Sequence, residues 1–204
     1  MTNVNTLTHK DPETISFLHN FVRDCSMKQL EKYSRDLKIS IKECTLETTL
    51  DSYADEISLI LLWSGIGSIT FKVHFSLPVC MKWASHGLKK DKNSISTSTA
   101  QDFMREFCNV MGGFLRGCFE KHNILIGMSL PFLAPGHDEA IFRKLRDPRS
   151  QSSLWKLSDG EVEVICSTDI CLLEPDLVKA IRPELEKQLS EAASNNDSGE
   201  VNFI

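Results

Sequence analysis

A chain of 204 residues, 41% hydrophobic and 25% charged, can bury a core of its own without disulfides or a structural metal. Its net charge of −5 leaves no basic excess to neutralise phosphates, which excludes a general nucleic-acid binder. No apolar run reaches the roughly 18 residues of a membrane span, and the start "MTNVNTLTHKDPE" has no basic-then-apolar secretory layout. The expectation is a cytoplasmic protein with neither nucleic acid nor membrane as partner.

Residues 1–10 are expected to be a flexible N-terminus, and residues 11–190 a single domain. From Asp11 to Arg35 apolar residues recur at Ile15, Leu18, Phe21, Val22 and Leu30 among charges. With an N-cap and a first-turn proline in "DPE", that spacing predicts a helix. The stretch "LKISIKECTLETTL" alternates through Leu37, Ile39 and Ile41 and reads as a half-buried strand. In "EISLILLWSGIGSITFKVHF" two apolar runs flank Ser64-Gly65-Ile66-Gly67, the composition of a hairpin. Its G-x-G lacks the third glycine and the following helix of a dinucleotide fingerprint.

Pro78 opens a short helix over Val79 to Leu88, the polar loop "KKDKNSISTST" follows, and a central helix is predicted over Thr99 to Lys121. "ILIGMSLPFLAPG", Ile124 to Gly136, reads as a strand, and "FRKLRDPR" as a basic connection. "SSLWKLSDGEVEVICSTDICLLE" reads as a hairpin turning at Asp159-Gly160, and Pro175 to Leu189 as a last helix. Residues 191–204 are expected to be a flexible tail. Helices interleave with hairpins rather than alternating singly with strands. The predicted class is therefore α+β, with helices packed on a mostly antiparallel sheet.

Seven cysteines, Cys25, Cys44, Cys80, Cys108, Cys118, Cys166 and Cys171, form no C-x-x-C pair and sit mostly among apolar neighbours. They read as reduced, buried thiols. Cys118 and His122 are four apart on one helix, but two ligands do not make a metal site, and none is expected. His74 and His137 have no serine or cysteine context that marks a nucleophile. Trp63, Trp83 and Trp155 read as core or dimer contacts.

The central helix "QDFMREFCNVMGGFLRG" is the informative segment. At about 100° per residue, Phe103, Phe107, Val110, Met111, Phe114, Leu115 and Cys118 form one apolar stripe. Asp102, Arg105, Glu106, Asn109, Gly113, Arg116 and Glu120 fall on the opposite side. Glu106 and Asn109 stand one turn apart there. Each of Gly112, Gly113 and Gly117 costs a helix about 1 kcal/mol relative to alanine, so backbone is needed at close range near this surface. Either a neighbouring element of the same domain or a second protein could take that space. A second E-x-x-N at Glu120 to Asn123 shows how cheaply the pattern arises.

The longer run, "DFMREFCNVMGGFLRG" followed by "ILIGMSLPFLAPG", resembles the CheX/CheC/FliY family of chemotaxis phosphatases. That family's signature is a helix with E-x-x-N, a following glycine, and then a strand of the "SLP…G" kind. Glu106, Asn109, Gly112, Ser129, Leu130, Pro131 and Gly136 match it in order and spacing, and the preceding Asp102 also fits. The resemblance implies a CheC/CheX-like α+β fold and a phosphorylated CheY-like receiver domain as partner. It implies that the receiver supplies its own Mg²⁺, so that this chain needs no cofactor. It further implies catalytic roles for Asn109, which would orient the attacking water, and Glu106, which would pair with the receiver's lysine. Asp102, Gly113 and Arg116 would then belong to the partner-binding face. Helix one has no E-x-x-N, so a single site per chain, as in CheX, is the better match, and a homodimer is expected.

An alternative of another class is a non-catalytic scaffold or binding module that keeps this fold and docks a signalling partner. Two smaller features stay open. The cluster of Arg143, Lys144, Arg146 and Arg149 is either a solvated connector or a patch for an acidic receiver surface. The terminal "VNFI" is either a loose end or a docking peptide.

Overall fold

The structure is a computed structural model describing residues 11–34, 38–44 and 55–194. The expected flexible N-terminus, the strand residues after Cys44 and the terminal "VNFI" lie outside the described residues. Helix α1 spans Pro12–Ser34, and strand β1 spans Ser40–Glu43. Asp11 caps α1, its Oδ1 accepting from Thr14 N at 3.1 Å, as the "DPE" signal predicts. Strands β2 (Glu56–Ser64) and β3 (Gly67–Phe75) form the predicted hairpin, paired from Ser64 opposite Gly67 to Glu56 opposite Phe75.

Helices α2 (Leu77–Leu88) and α3 (Thr97–Glu120) follow. Two short strands, β4 (Gly127–Met128) and β5 (Phe132–Pro135), stand where one was expected. The "basic connection" contains a helix, α4 (Glu139–Leu145), which periodicity over so short a segment could not show. Strands β6 (Gln151–Ser158) and β7 (Glu163–Leu172) make the second hairpin, turning at Asp159, whose Oδ1 accepts from Glu161 N and Val162 N. The last helix, α5, spans Pro175–Ser194, running past the predicted Leu189.

All these strands pair antiparallel in one sheet, in the order β1-β6-β7-β3-β2-β4, with β5 beside β4 on the same flank of β2. The α+β class read from the sequence is what the chain adopts. Strand alternation sends Ile60 and Leu62, then Phe71, Val73 and Phe75, to one face. There they join Leu18, Phe21 and Val22 of α1, Trp83 of α2, and Phe107, Met111 and Leu115 of α3 in one core. Trp83 and Trp155 are fully buried, their indoles donating to Asp159 and Ser26. Trp63 is 47% exposed and lies outside the core, on the opposite face of the sheet.

That opposite face carries charge. Lys72, 3% exposed, donates to both oxygens of Glu139 on α4 at 3.0 and 3.2 Å and pairs with Asp169 on β7 at 2.9 Å. Its ammonium also lies over the Phe142 ring at 5.9 Å. Burial pushes the Asp169 carboxyl up, but Lys72, Ser152 and Arg146 outweigh it and hold it below the ordinary carboxylate value. These ion pairs pin α4 to the sheet.

Two buried histidines give the fold a predictable response to acid. His19 faces Thr168 at 2.6 Å, and burial lowers its pKa to about 4. His74 faces Ser167 at 3.0 Å; burial first, then the charges of Lys72 and Arg143, lower it to about 3 against the pull of Asp169. Both are neutral when folded near neutrality, whereas in the unfolded chain each protonates near the ordinary histidine value of 6.5. Between these values the unfolded state binds more protons, so stability falls as pH falls. Urea unfolding should lose about 1.4 kcal/mol per pH unit per histidine below pH ~6. A His74→Gln variant should show a shallower slope than the unmodified chain, and an equal slope would contradict this assignment.

Candidate functional site

Helix α3 presents the candidate site because its two sides face different solvents. Ser96 caps it, its side chain accepting from Thr99 N at 3.1 Å. Phe103, Phe107, Met111, Leu115 and Cys118 are buried as predicted, while Val110 and Phe114 are only half-buried. Met104, Cys108, Gly112 and Phe119 are buried as well. The apolar stripe is thus rotated toward β2 and β4 compared with the expected one.

On the outer side Asp102, Arg105, Glu106, Gly113 and Arg116 are exposed, and Asn109 is half-buried. The Asn109 amide Nδ2 donates to Glu106 Oε2 at 3.2 Å. Among the described residues the two side chains bond to each other and not to a neighbouring element. The amide oxygen and its second N–H stay available to water. Glu106 stands close enough to Tyr33 of α1 that its charge adds to burial in raising the tyrosine hydroxyl's pKa. The flanks are held by helical ion pairs, Asp102 with Arg105 and Arg116 with Glu120. Such exposed pairs contribute only a few tenths of a kcal/mol, about 0.3–0.5.

The three glycines divide by role. A methyl group at Gly112 would come within 2.7 Å of Ile60 Cδ1 and 2.8 Å of Met128 Sδ, so this glycine lets α3 sit down on β2 and β4. At Gly113 and Gly117 an added Cβ meets nothing within 4 Å. Internal packing explains the first and leaves the other two as bare backbone beside Glu106 and Asn109.

The "SLP" residues lie on the flank of the same helix. Met128 pairs with Leu62 and Phe132 with Leu59. Ser129, Leu130 and Pro131 therefore oppose only Ile60 and Leu61, which is a β-bulge. Ser129 clamps it: its N–H donates to Leu61 O at 2.9 Å, and its Oγ accepts from Leu61 N at 3.0 Å. The sequence signal was Pro131 itself, since a proline inside a strand pattern marks an edge or a bulge. Gly136 closes the segment, its N–H donating to Asp55 O at 2.9 Å.

Other candidates fall away from this site. The basic cluster does not flank it: Arg143 and Arg146 turn to Glu139 and Asp169 on the opposite face of the sheet, and Arg149 pairs with Asp147. The structure does bring a serine to His74, contrary to its sequence context, but both residues are buried, and an imidazole with a pKa of about 3 is a poor base. Cys118 is buried and His122 lies against Gln188 Nε2 at 3.2 Å. Among the described residues the cysteines are unpaired, and burial raises their thiol pKa values. No described helix is long and apolar enough to cross a membrane.

No family model matches the chain, and no curated protein matches its sequence. Solved structures do match in three dimensions. A CheC-like superfamily protein from Shewanella sp. PV-4 superposes with a TM-score of 0.59 at 13% identity, over 76% of this chain and 96% of that one. The CheX–CheY–BeF3–Mg²⁺ complex from Borrelia burgdorferi gives 0.55 at 13% identity, over 74% and 96%. The chemotaxis protein CheX from Vibrio vulnificus gives 0.54 at 12% identity, over 74% and 95%.

The chain has the CheC/CheX fold. The resemblance drawn from the α3 motif and the "SLP" segment is borne out at the level of architecture, although few residues are shared. Nearly the whole length of each CheC/CheX structure is covered. In this CheC/CheX fold α3 lies on the sheet through Gly112, with Glu106 and Asn109 on its outer side.

Proposed function

We propose that this chain is a phosphatase acting on the aspartyl phosphate of a CheY-like receiver domain. The observation that carries the proposal is the outward-facing Glu106 and Asn109 pair on a rigid, well-packed helix beside backbone that no internal contact uses. The CheX structure from Borrelia burgdorferi is a complex with CheY, BeF3 and Mg²⁺, and a partner of that chemistry suits this face.

Asn109 would hold a water in line with the scissile bond, accepting from it and donating to it without adding negative charge beside the phosphoryl group. Water oxygen bonds to phosphorus as the bond to the aspartyl oxygen breaks. The receiver regains its carboxylate, and inorganic phosphate carries away the water's oxygen. Glu106 would pair with the receiver's lysine and set the register of docking. One helical turn, about 5.4 Å, separates the two tasks. The receiver's Mg²⁺ would neutralise charge on the transferred group, which is why this chain needs no metal of its own. Asp102, Gly113 and Arg116 would line the contact, and a homodimer in the cytoplasm goes with the same reading.

A phosphate-release assay with a phosphorylated CheY-type receiver tests this. Release should accelerate in proportion to added chain, over many turnovers. Binding of the receiver with no acceleration would instead identify a scaffold module. Gly113→Ala gives a second check with two opposite signs. Alanine favours the helix by about 1 kcal/mol, so the unfolding midpoint should rise. The same methyl group stands in the path of the partner, so receiver affinity should fall. A rise in both would remove Gly113 from the contact.

A further inference from the structure

Resting on that reading of α3, we infer that Leu130 is the apolar anchor of the docking face, the side chain that the receiver desolvates beside the Glu106 and Asn109 pair. Leu130 is 87% exposed, on a sheet edge whose neighbours Met128 and Leu133 pack against the core. Its exposure follows from the bulge: an extra residue against Ile60 and Leu61 cannot keep its place in the pleat, and bulges re-aim a side chain in this way. The projection is rigid. Ser129 bonds twice to Leu61 on one side, and Pro131, with its fixed φ and no N–H, follows on the other. An anchor held like this loses little conformational freedom on binding.

Its position relative to the polar pair comes from helix geometry. Gly112 meets Met128 through the flank of α3 that faces the sheet edge, and Asn109 projects only about 60° around the helix from Gly112. The residues that follow Met128 therefore border the side on which Asn109 stands. An interface made only of exposed charge and amide would set orientation and give little affinity, and an apolar side chain that can be fully desolvated supplies it. Leu125 is a built-in control. It is 82% exposed but follows the end of α3, which lies roughly 16 Å of helical rise beyond Asn109.

The experiment is calorimetric titration of the full chain with a CheY-type receiver held in its phosphorylated form by beryllofluoride and Mg²⁺. Leu130→Ser should weaken binding about tenfold. Leu130→Met should restore most of it, and Leu125→Ser should leave it unchanged. In turnover the Leu130→Ser loss should appear in KM, with kcat within about twofold. Equal affinity of Leu130→Ser and the unmodified chain, or an equal loss in Leu125→Ser, would overturn the inference while leaving the phosphatase reading intact. A receiver that does not bind the unmodified chain at all would overturn both.

Discussion

Replacing Asn109 by alanine is expected to reduce turnover of a phosphorylated receiver about 100-fold or more, the usual size of effect for one preorganised polar group at a reacting centre. The same change should leave stability within about 0.5 kcal/mol, since Asn109 is half-buried and bonds only to the exposed Glu106 among the described residues. Asn109→Asp is nearly isosteric yet should not rescue activity, because a carboxylate facing the phosphoryl group repels it and cannot donate to the water. Glu106→Gln should act differently. It keeps the shape and removes the charge that meets the receiver's lysine, so its loss should appear mainly in KM. Phosphate release as a function of receiver concentration separates the two, and full activity in Asn109→Ala would take the amide out of the mechanism.

Lys72→Ala is expected to destabilise the fold by about 3 kcal/mol, the lower end of what is seen when one partner of a buried pair is removed. Lys72 and Glu139 are nearly inaccessible, with side chains 4% and 7% exposed. Without the ammonium, Glu139 and Asp169 would face each other across the gap. Arg143, at 3.5 Å from Glu139, and Arg146, at 3.2 Å from Asp169, compensate in part, which is why the lower end applies. Replacing Lys72, Glu139 and Asp169 together by apolar residues of similar volume should recover part of the loss, because the nearly inaccessible charges go together, while Arg143 and Arg146, about a third exposed, lose their carboxylate partners and turn to water. Chemical unfolding measures both variants. A loss below about 1 kcal/mol in Lys72→Ala would mean that α4 is not held by these pairs.

What the sequence disclosed and what it hid follow from the range of the interactions involved. The Glu106 and Asn109 face was legible because a helix of regular pitch fixes which side chains share a side, and α3 is long and strongly patterned. The hairpins at Ser64 to Gly67 and at Asp159 were legible because turn chemistry is local. Helix α4 was not, since its seven residues are positioned by Lys72, 67 residues away from Glu139 in the chain. A lone lysine in "FKVHF" gives no sign of the carboxylates it will meet. The adjacent glycines could not be separated by composition either. A rotation of about 100° between neighbours sends Gly112 into Ile60 and Met128 and Gly113 into open space. Reading "ILIGMSLPFLAPG" as one strand missed the bulge, although Pro131 stood in the pattern to mark it. Of the two readings open for Trp63, core or dimer contact, the structure removes the first: on β2 it points away from the core and is 47% exposed.

The central claim is that the outer face of α3 enters the phosphorylated pocket of a receiver domain, and a structure of the two proteins together tests it most directly. With a CheY-type receiver held by beryllofluoride and Mg²⁺, the Asn109 amide should lie within hydrogen-bonding distance of a water or fluoride at the beryllofluoride, opposite the aspartyl oxygen. Glu106 should reach the receiver's lysine. A receiver seated on any other surface, with Glu106 and Asn109 still bonded to each other in open solvent, would contradict it.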